Sequence, residues 1–265
     1  HNALHAAQVT HSASWLARAL GIYEEQSNLE AAAFLLACIT HDVGHVGRNN
    51  AFCVTTEHSL ALLYNDVKVL ENMHSAHCFE LLQKSEMLTG LSRSDRGSLR
   101  SQIIEYILAT DMAEHFEVIS KFRVRREDAA FSISNEADRR FLSRLCIKAG
   151  DIGHPALPWY LHAKWTASAL QEFYAQGEEE LRLGLPVSPL CNRGELADVG
   201  KTQKGFLDFV CMPLFKVLAE EQEQSLKGGK VPETGAQGRK ASRSQSVVAS
   251  QMHLTHGVRG TVMAE

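Results

Sequence analysis

His41-Asp42-Val43-Gly44-His45-Val46-Gly47-Arg48-Asn49-Asn50, HDVGHVGRNN over residues 41–50, governs how the rest of the 265-residue chain is read. It follows LEAAAFLLACIT at 29–40, an apolar run of strong helix formers that predicts a mostly buried helix. An imidazole and a carboxylate side by side at the end of such a helix are costly to bury unpaired. A divalent cation removes that cost, because neutral imidazole and carboxylate both ligate zinc and carboxylate also suits magnesium. Gly44 and Gly47 free the backbone to turn His45 and Asn50 toward one point. Taken alone, a helix end with a capping aspartate and exposed histidines explains the pair better, so the metal reading depends on ligands from elsewhere.

Such ligands lie on both sides. Residues 1–20 read as a helix that places His1 and His5 one turn apart on one face, with His11 off that face. Downstream, Glu71 and His74 stand three apart in a helical stretch at 71–82. That spacing suits groups that orient water and ligands beside a metal, and it equally suits a solvated helix face. The apolar helix through 103–110 ends on Thr110 and Asp111. The helix over 137–153, with Phe141, Leu145 and Ala149 at four-residue spacing, carries Asp151 at its end before His154-Pro155 breaks it. Helix ends thus supply His5, His41, Asp42 and Asp151, two imidazoles and two carboxylates able to neutralise a divalent ion.

No stretch alternates as a half-buried strand would, so the fold class is all-α. Residues 92–100 read as turn-like and 122–136 as a charged surface connection. A helix over Trp159–Gln176 is expected to stop at Gly177, and 178–202 to form an irregular loop. Gln203, Gly205 and Phe206 open a last apolar helix that Pro213 should kink. From 221 onward Gly, Ser, Gln and Lys replace aromatic residues, which predicts a 1–220 domain and a disordered tail at 221–265. Arg239-Lys240-Ala241-Ser242 in that tail has the form of a kinase site at Ser242, although a plain solvated tail is the simpler reading.

A net charge of −4 and a pI near 6.4 leave no basic footprint, which excludes nucleic acid as a main partner. Six dispersed cysteines without C-x-x-C spacing point to buried thiols in a reducing, cytoplasmic compartment. There is no signal peptide and no apolar run of transmembrane length, which leaves open attachment to a membrane through upstream sequence.

From His1 to about Ala219 the chain resembles the catalytic domain of class I cyclic-nucleotide phosphodiesterases, within the His-Asp metal-dependent phosphohydrolases. The carriers are HNALHAAQV at 1–9, HDVGHVGRNN at 41–50, LALLYNDVKVLENMH at 60–74, ILATDMAEH at 107–115, AGDIGHP at 149–155, KWTASALQEFYAQG at 164–177, SPLC at 188–191 and TQKGF at 202–206. The resemblance implies a compact multi-helix fold whose N-terminal helices are missing from this chain. It implies hydrolysis of cAMP, cGMP or both to 5′-monophosphates by a hydroxide that two metals activate. In that scheme His5, His41, Asp42 and Asp151 hold Zn2+, and Asp42 bridges to Mg2+ or Mn2+. His1 is the implied general acid, which imidazole's intrinsic pKa of about 6.5 suits. His45 joins it at the reaction centre, while Glu71, His74, Thr110 and Asp111 hold waters or orient ligands. His1, Asp151, His154, Gln203 and Phe206 would contact the nucleotide, with Gln203 on the purine edge and Phe206 stacked on the ring.

Gly44, Val46 and Met73 depart from the commonest family residues, Asp, Pro and His, at positions that ligate no metal. His154, Leu161-His162 and Ser188-Pro189-Leu190-Cys191 are most similar to the calmodulin-stimulated dual-specificity branch and to some protozoan enzymes, which implies use of both nucleotides but carries no implication of calmodulin control. The alternatives are another phosphohydrolase of the His-Asp group and a non-catalytic cyclic-nucleotide-binding or scaffold module.

Overall fold

Ser27 Oγ accepts from the Glu30 amide at 3.2 Å while Glu30 Oε2 accepts from the Ser27 amide at 2.8 Å, a reciprocal cap that starts a buried helix. That helix is α3 (Asn28–Thr40), and its last turn delivers His41 and Asp42. The computed structural model describes residues 1–194 and 199–228. Helices α1 (Ala3–Ala19) and α7 (Arg93–Leu108) pack on α3, α9 (Glu136–Asp151) packs on α1 and α7, and α12 (Met212–Gly228) packs on α9. Their inner faces interdigitate through Leu16, Phe34, Ile103, Tyr106, Leu142 and Leu145, all 2% exposed or less. Burial of each of these large apolar side chains is worth roughly 1.5–3 kcal/mol. Phe34 meets Tyr106 edge to face at 5.6 Å. Among the described residues there is no strand, as the all-α expectation required.

The shorter α2 (Ile22–Glu25), α4 (Asn50–Thr55) and α5 (Ser59–Leu63) connect these elements, and α6 (Val69–Lys84) packs on both α7 and α4. Asn65 and Asp66 adopt left-handed backbone angles of +53° and +62°, the break expected there. Helix α8 (His115–Glu127) and the long α10 (Trp159–Arg182) complete the middle of the chain. Finally α11 (Val199–Gly205) runs through a π turn at Phe206–Cys211 into α12.

Several expected boundaries move. Residues 93–100 form the first half of α7, started by Ser92, whose hydroxyl caps the Asp95 amide; they look turn-like because that half is largely solvated. Helix α8 runs through residue 127 and so takes the first part of the expected 122–136 connection, and Phe122 on it is fully buried. Helix α10 runs straight through Gly177 because a side chain there would land on the Cys191 carbonyl, so that glycine serves close approach rather than termination. Helix α12 continues past the expected boundary at 220, with Glu221 and Gln222 buried on it. His1 lies ahead of α1, whose N-cap is Asn2, so His1 and His5 do not share a helical face. Ser242 lies outside the described residues. All six cysteines are buried and free.

Helices α3 and α9 are held in register by a buried ion pair, Arg139 Nη2 to Glu30 Oε1 at 2.7 Å. Helices α1 and α9 touch at Gly150, where an added Cβ would stand 2.9 Å from the Val9 carbonyl and 3.1 Å from the Ala13 amide. That bare backbone lets α1 approach the residue next to Asp151. Gly150→Val is therefore expected to lower stability by about 1–3 kcal/mol in denaturant unfolding, because both colliding groups belong to a helix that cannot yield locally. An unchanged unfolding midpoint would contradict this packing account.

Candidate metal centre and substrate pocket

The side chains of three helix ends converge. His5 Nε2 lies 3.0 Å from Asp151 Oδ1 and 3.2 Å from Asp42 Oδ2. His41 Nε2 lies 3.1 Å from Asp42 Oδ2 and 3.3 Å from Asp151 Oδ1. Ligand atoms around a tetrahedral ion with bonds of about 2.0–2.1 Å stand about 3.3 Å apart, so these separations match a four-ligand cage. His41 is fully buried and its Nδ1 contacts the Cys38 carbonyl at 2.9 Å; a carbonyl only accepts, so Nδ1 carries the proton and Nε2 can offer a lone pair inward. Asp42 Oδ2 is buried and makes no well-aligned hydrogen bond despite its two close imidazoles. A cation between these four groups would give that oxygen the partner it lacks.

Electrostatics point the same way. Burial opposes charge on His5, but its hydrogen bond to Asp151 and the close Asp42 carboxylate outweigh that and raise its pKa to about 9. His41, also opposed by burial, is held well above its ordinary value by the same carboxylates. In turn the imidazoles overcome burial at the acids, holding Asp42 well below the usual carboxylate range and Asp151 down at about 2.

A second group borders the first. His1 Nδ1 is 2.5 Å from Glu172 Oε1 on α10, and its Nε2 is 3.8 Å from Asp42 Oδ2. His45 stacks on His1 at 3.7 Å between ring centres and lies near-parallel to His74 at 5.6 Å. Burial keeps both His45 and His74 below the ordinary imidazole pKa. His45 Nδ1 already accepts from the Gly47 amide at 3.0 Å, so the atom facing Glu172 is occupied and His1, His45 and Glu172 make a poorer cation cage. Gly44 and Gly47 take backbone φ of +77° and +70°, the turn expected of them.

His74 Nδ1–H donates to the Val43 carbonyl at 2.9 Å, leaving Nε2 3.8 Å from Asp42 Oδ1. Glu71 accepts from Asn50 at 3.0 Å, so Asn50 and His45 both turn toward α6 but meet different residues on it. Burial raises the Glu71 pKa, and nearby Asp111 adds to the rise. Asp111 caps the Ala113 amide at 2.9 Å. The Thr110 hydroxyl donates to the Ile107 carbonyl at 2.7 Å, which leaves its oxygen lone pairs able to accept from a water. Beneath them, buried Lys148 donates to the Ala109 and Asp111 carbonyls at 2.9 and 2.8 Å, closing the end of α7.

Beside the cage a largely apolar cavity of about 680 Å³ is walled by Pro155, Leu157, Trp159, His162, Thr166 and Gln203. The Thr166 hydroxyl donates to Gln203 Oε1 at 3.2 Å. Phe206 and His154 lie outside this lining. Their rings are near-parallel at 5.9 Å, and His154 joins the wall through a 2.9 Å Nδ1 to Nδ1 hydrogen bond with His162. Burial and the neighbouring His162 depress the His154 pKa to about 4, so this pair shares one proton between neutral rings.

The family model described as 3'5'-cyclic nucleotide phosphodiesterase matches residues 1–227. The chain belongs to that family. It is 45% identical over 222 residues to the dual 3',5'-cyclic-AMP and -GMP phosphodiesterase beta of Plasmodium falciparum, covering 83% of this chain and 20% of that protein. It is 38% identical to a probable 3',5'-cyclic phosphodiesterase, pde-1, of Caenorhabditis elegans, over 83% of this chain and 32% of the relative. Its identity to the mouse dual specificity calcium/calmodulin-dependent 3',5'-cyclic nucleotide phosphodiesterase 1B is 37%, over 86% and 42% respectively. The chain therefore spans between 20% and 42% of the length of these relatives. No helix among the described residues is long and apolar enough to cross a membrane.

From sequence, Glu172 has no role and His162 serves only as a mark of the family branch. Glu172 is 171 residues from its partner His1, and its one local sign is a carboxylate set between Trp165, Leu170 and Phe173 on α10.

A cation entering the cage must displace the protons on His5 and His41. Calorimetric titration with zinc at pH 7, in two buffers of different ionisation enthalpy, should show release of about two protons per ion, with affinity rising as pH rises toward 9. Binding without proton release would contradict the electrostatic description.

Proposed function

We propose that this chain hydrolyses 3′,5′-cyclic nucleotides, both cAMP and cGMP, to 5′-monophosphates. The observation that carries the reading is the convergence of His5, His41, Asp42 and Asp151 beside a cavity that has Gln203 in its wall. His5, His41, Asp42 and Asp151 would hold zinc, while the carboxylates of Asp42, Glu71 and Asp111 favour an oxygen-seeking second ion, Mg2+ or Mn2+. When bound, such ions supply a water acidified to a nucleophile and neutralise charge on the phosphoryl oxygens.

The remaining work falls to side chains. His1 offers Nε2 toward Asp42 while Glu172 accepts from Nδ1–H, an arrangement that lets a doubly protonated imidazole donate to the departing 3′ oxygen. His45, stacked on His1, keeps that ring in plane. Gln203 and Phe206 would bind the base. A terminal amide presents donor and acceptor in either order, which supports use of both purines, as the name of the Plasmodium relative states for that protein. His154 and Asp151 would border the sugar phosphate. Six buried free thiols support a reducing, cytoplasmic setting, and the net charge of −4 supports a small-molecule partner over nucleic acid.

The test is turnover of both nucleotides by the purified chain with and without a chelator. Release of 5′-monophosphate that a chelator abolishes is expected. Tight nucleotide binding without release would favour the non-catalytic module, and cleavage of linear diesters alone would favour another phosphohydrolase. Glu172→Gln should lower kcat by about 10- to 100-fold with KM little changed, because it weakens the proton donor and leaves the base pocket intact. A loss confined to KM would remove Glu172 from this role.

A further inference from the structure

Helices α11 and α12 form one rod interrupted by the π turn at Phe206–Cys211. Pro213 accounts for the interruption. Proline has no amide hydrogen and its ring crowds the carbonyl four residues earlier, that of Phe209, so a wider turn relieves the clash. A carbonyl in a turn so widened can take a donor from another element.

His115, the first residue of α8 and the last of the ILATDMAEH stretch, supplies one. Its Nε2 lies 3.0 Å from the Val210 carbonyl, and the side chain is 1% exposed. Since a carbonyl only accepts, Nε2 carries the proton and Nδ1 remains buried without a partner. Leaving that nitrogen unsatisfied is unfavourable, and an apolar side chain would avoid it. The bond to Val210 is the compensation on view. The far end of the same turn is tied to α9, where Cys211 Sγ reaches the Ile152 carbonyl at 3.6 Å, one residue beyond Asp151. Phe206 is the first residue of the turn, near-parallel to His154, and Gln203 lies about one helical turn before it.

We infer that His115 is a positioning residue for the nucleotide base: it clasps the π turn so that Phe206 and Gln203 stand at a fixed place relative to Asp151. This rests on the reading that the cavity receives the purine of a cyclic nucleotide. His115 touches neither the cage nor the cavity wall, so its loss acts on base binding and spares the groups that carry out the chemistry.

The experiment compares the wild-type chain with His115→Leu and His115→Gln, the glutamine amide reaching about as far as Nε2. Zinc content, kcat, KM for cAMP and cGMP, and hydrogen exchange of the peptide 203–215 are measured for each. His115→Leu should raise KM about tenfold for both nucleotides, leave kcat within about threefold and zinc content unchanged, and speed exchange in that peptide. His115→Gln should restore KM and slow exchange. Unchanged KM and exchange in folded His115→Leu would overturn the inference. So would a parallel fall of kcat, KM performance and zinc content that glutamine does not rescue. Should His115→Leu fail to fold, His115→Asn, whose amide falls short of Val210, takes its place. A wild-type chain with no turnover would sink the phosphodiesterase reading alone; exchange at 203–215 would still support the clasp if faster in His115→Leu and overturn it if equal.

Discussion

Two imidazoles and two carboxylates held within about hydrogen-bond distance of one another, at the ends of three separate helices, constrain everything else in this fold. Placing them together requires α1 to lie against the bare backbone of Gly150 and α3 to be locked to α9 through Glu30 and Arg139. The packed apolar faces of α1, α3, α7 and α9 supply the rigidity, and the polar groups sit where those helices end. A core of this kind resists local adjustment, so the convergence is a property of the whole domain rather than of a loop. The four groups support one another's charge, the carboxylates raising the imidazoles and the imidazoles lowering the carboxyls.

The second layer follows from the first. His74 and Glu71 come from one helix turn of α6 and face Asp42 and Asp111 respectively, while Lys148 satisfies the carbonyls that α7 leaves open at its end. His1 and Glu172 border the cage, and Gln203 and His162 line the cavity. The ends of α1, α3 and α9 form the cage and the α11 to α12 rod carries Gln203 and Phe206, while α10 serves both through Glu172 and His162. That division is what allows positioning of the base to be adjusted through the π turn without disturbing the cage.

Much of this was legible from residues alone where local pattern and chemistry coincide. The apolar run into His41-Asp42 read as a buried helix, and the four-residue spacing ahead of Asp151 read as another, because burial imposes a helical period on the side chains it covers. The all-α class followed from the same periodicity. What stayed hidden depends on contacts remote in sequence. Gly177 reads as a stop signal until Cys191 is found against it, and residues 93–100 read as a turn because a solvated helix half carries no apolar stripe. Glu172 carries only the faint mark of a carboxylate among apolar neighbours on its helix, and His115 stays unassigned inside a quoted stretch because its partner carbonyl belongs to a π turn that only Pro213 hints at.

The central claim is that one cation is held by His5, His41, Asp42 and Asp151 together. It is tested most directly by anomalous diffraction at the zinc absorption edge, using crystals of the chain purified without added metal. The account predicts a single strong peak about 2.0–2.2 Å from Nε2 of His5 and His41 and from an oxygen of each carboxylate. Absence of any peak there after soaking in zinc, or a peak seated instead on His1, His45 and Glu172, would contradict it.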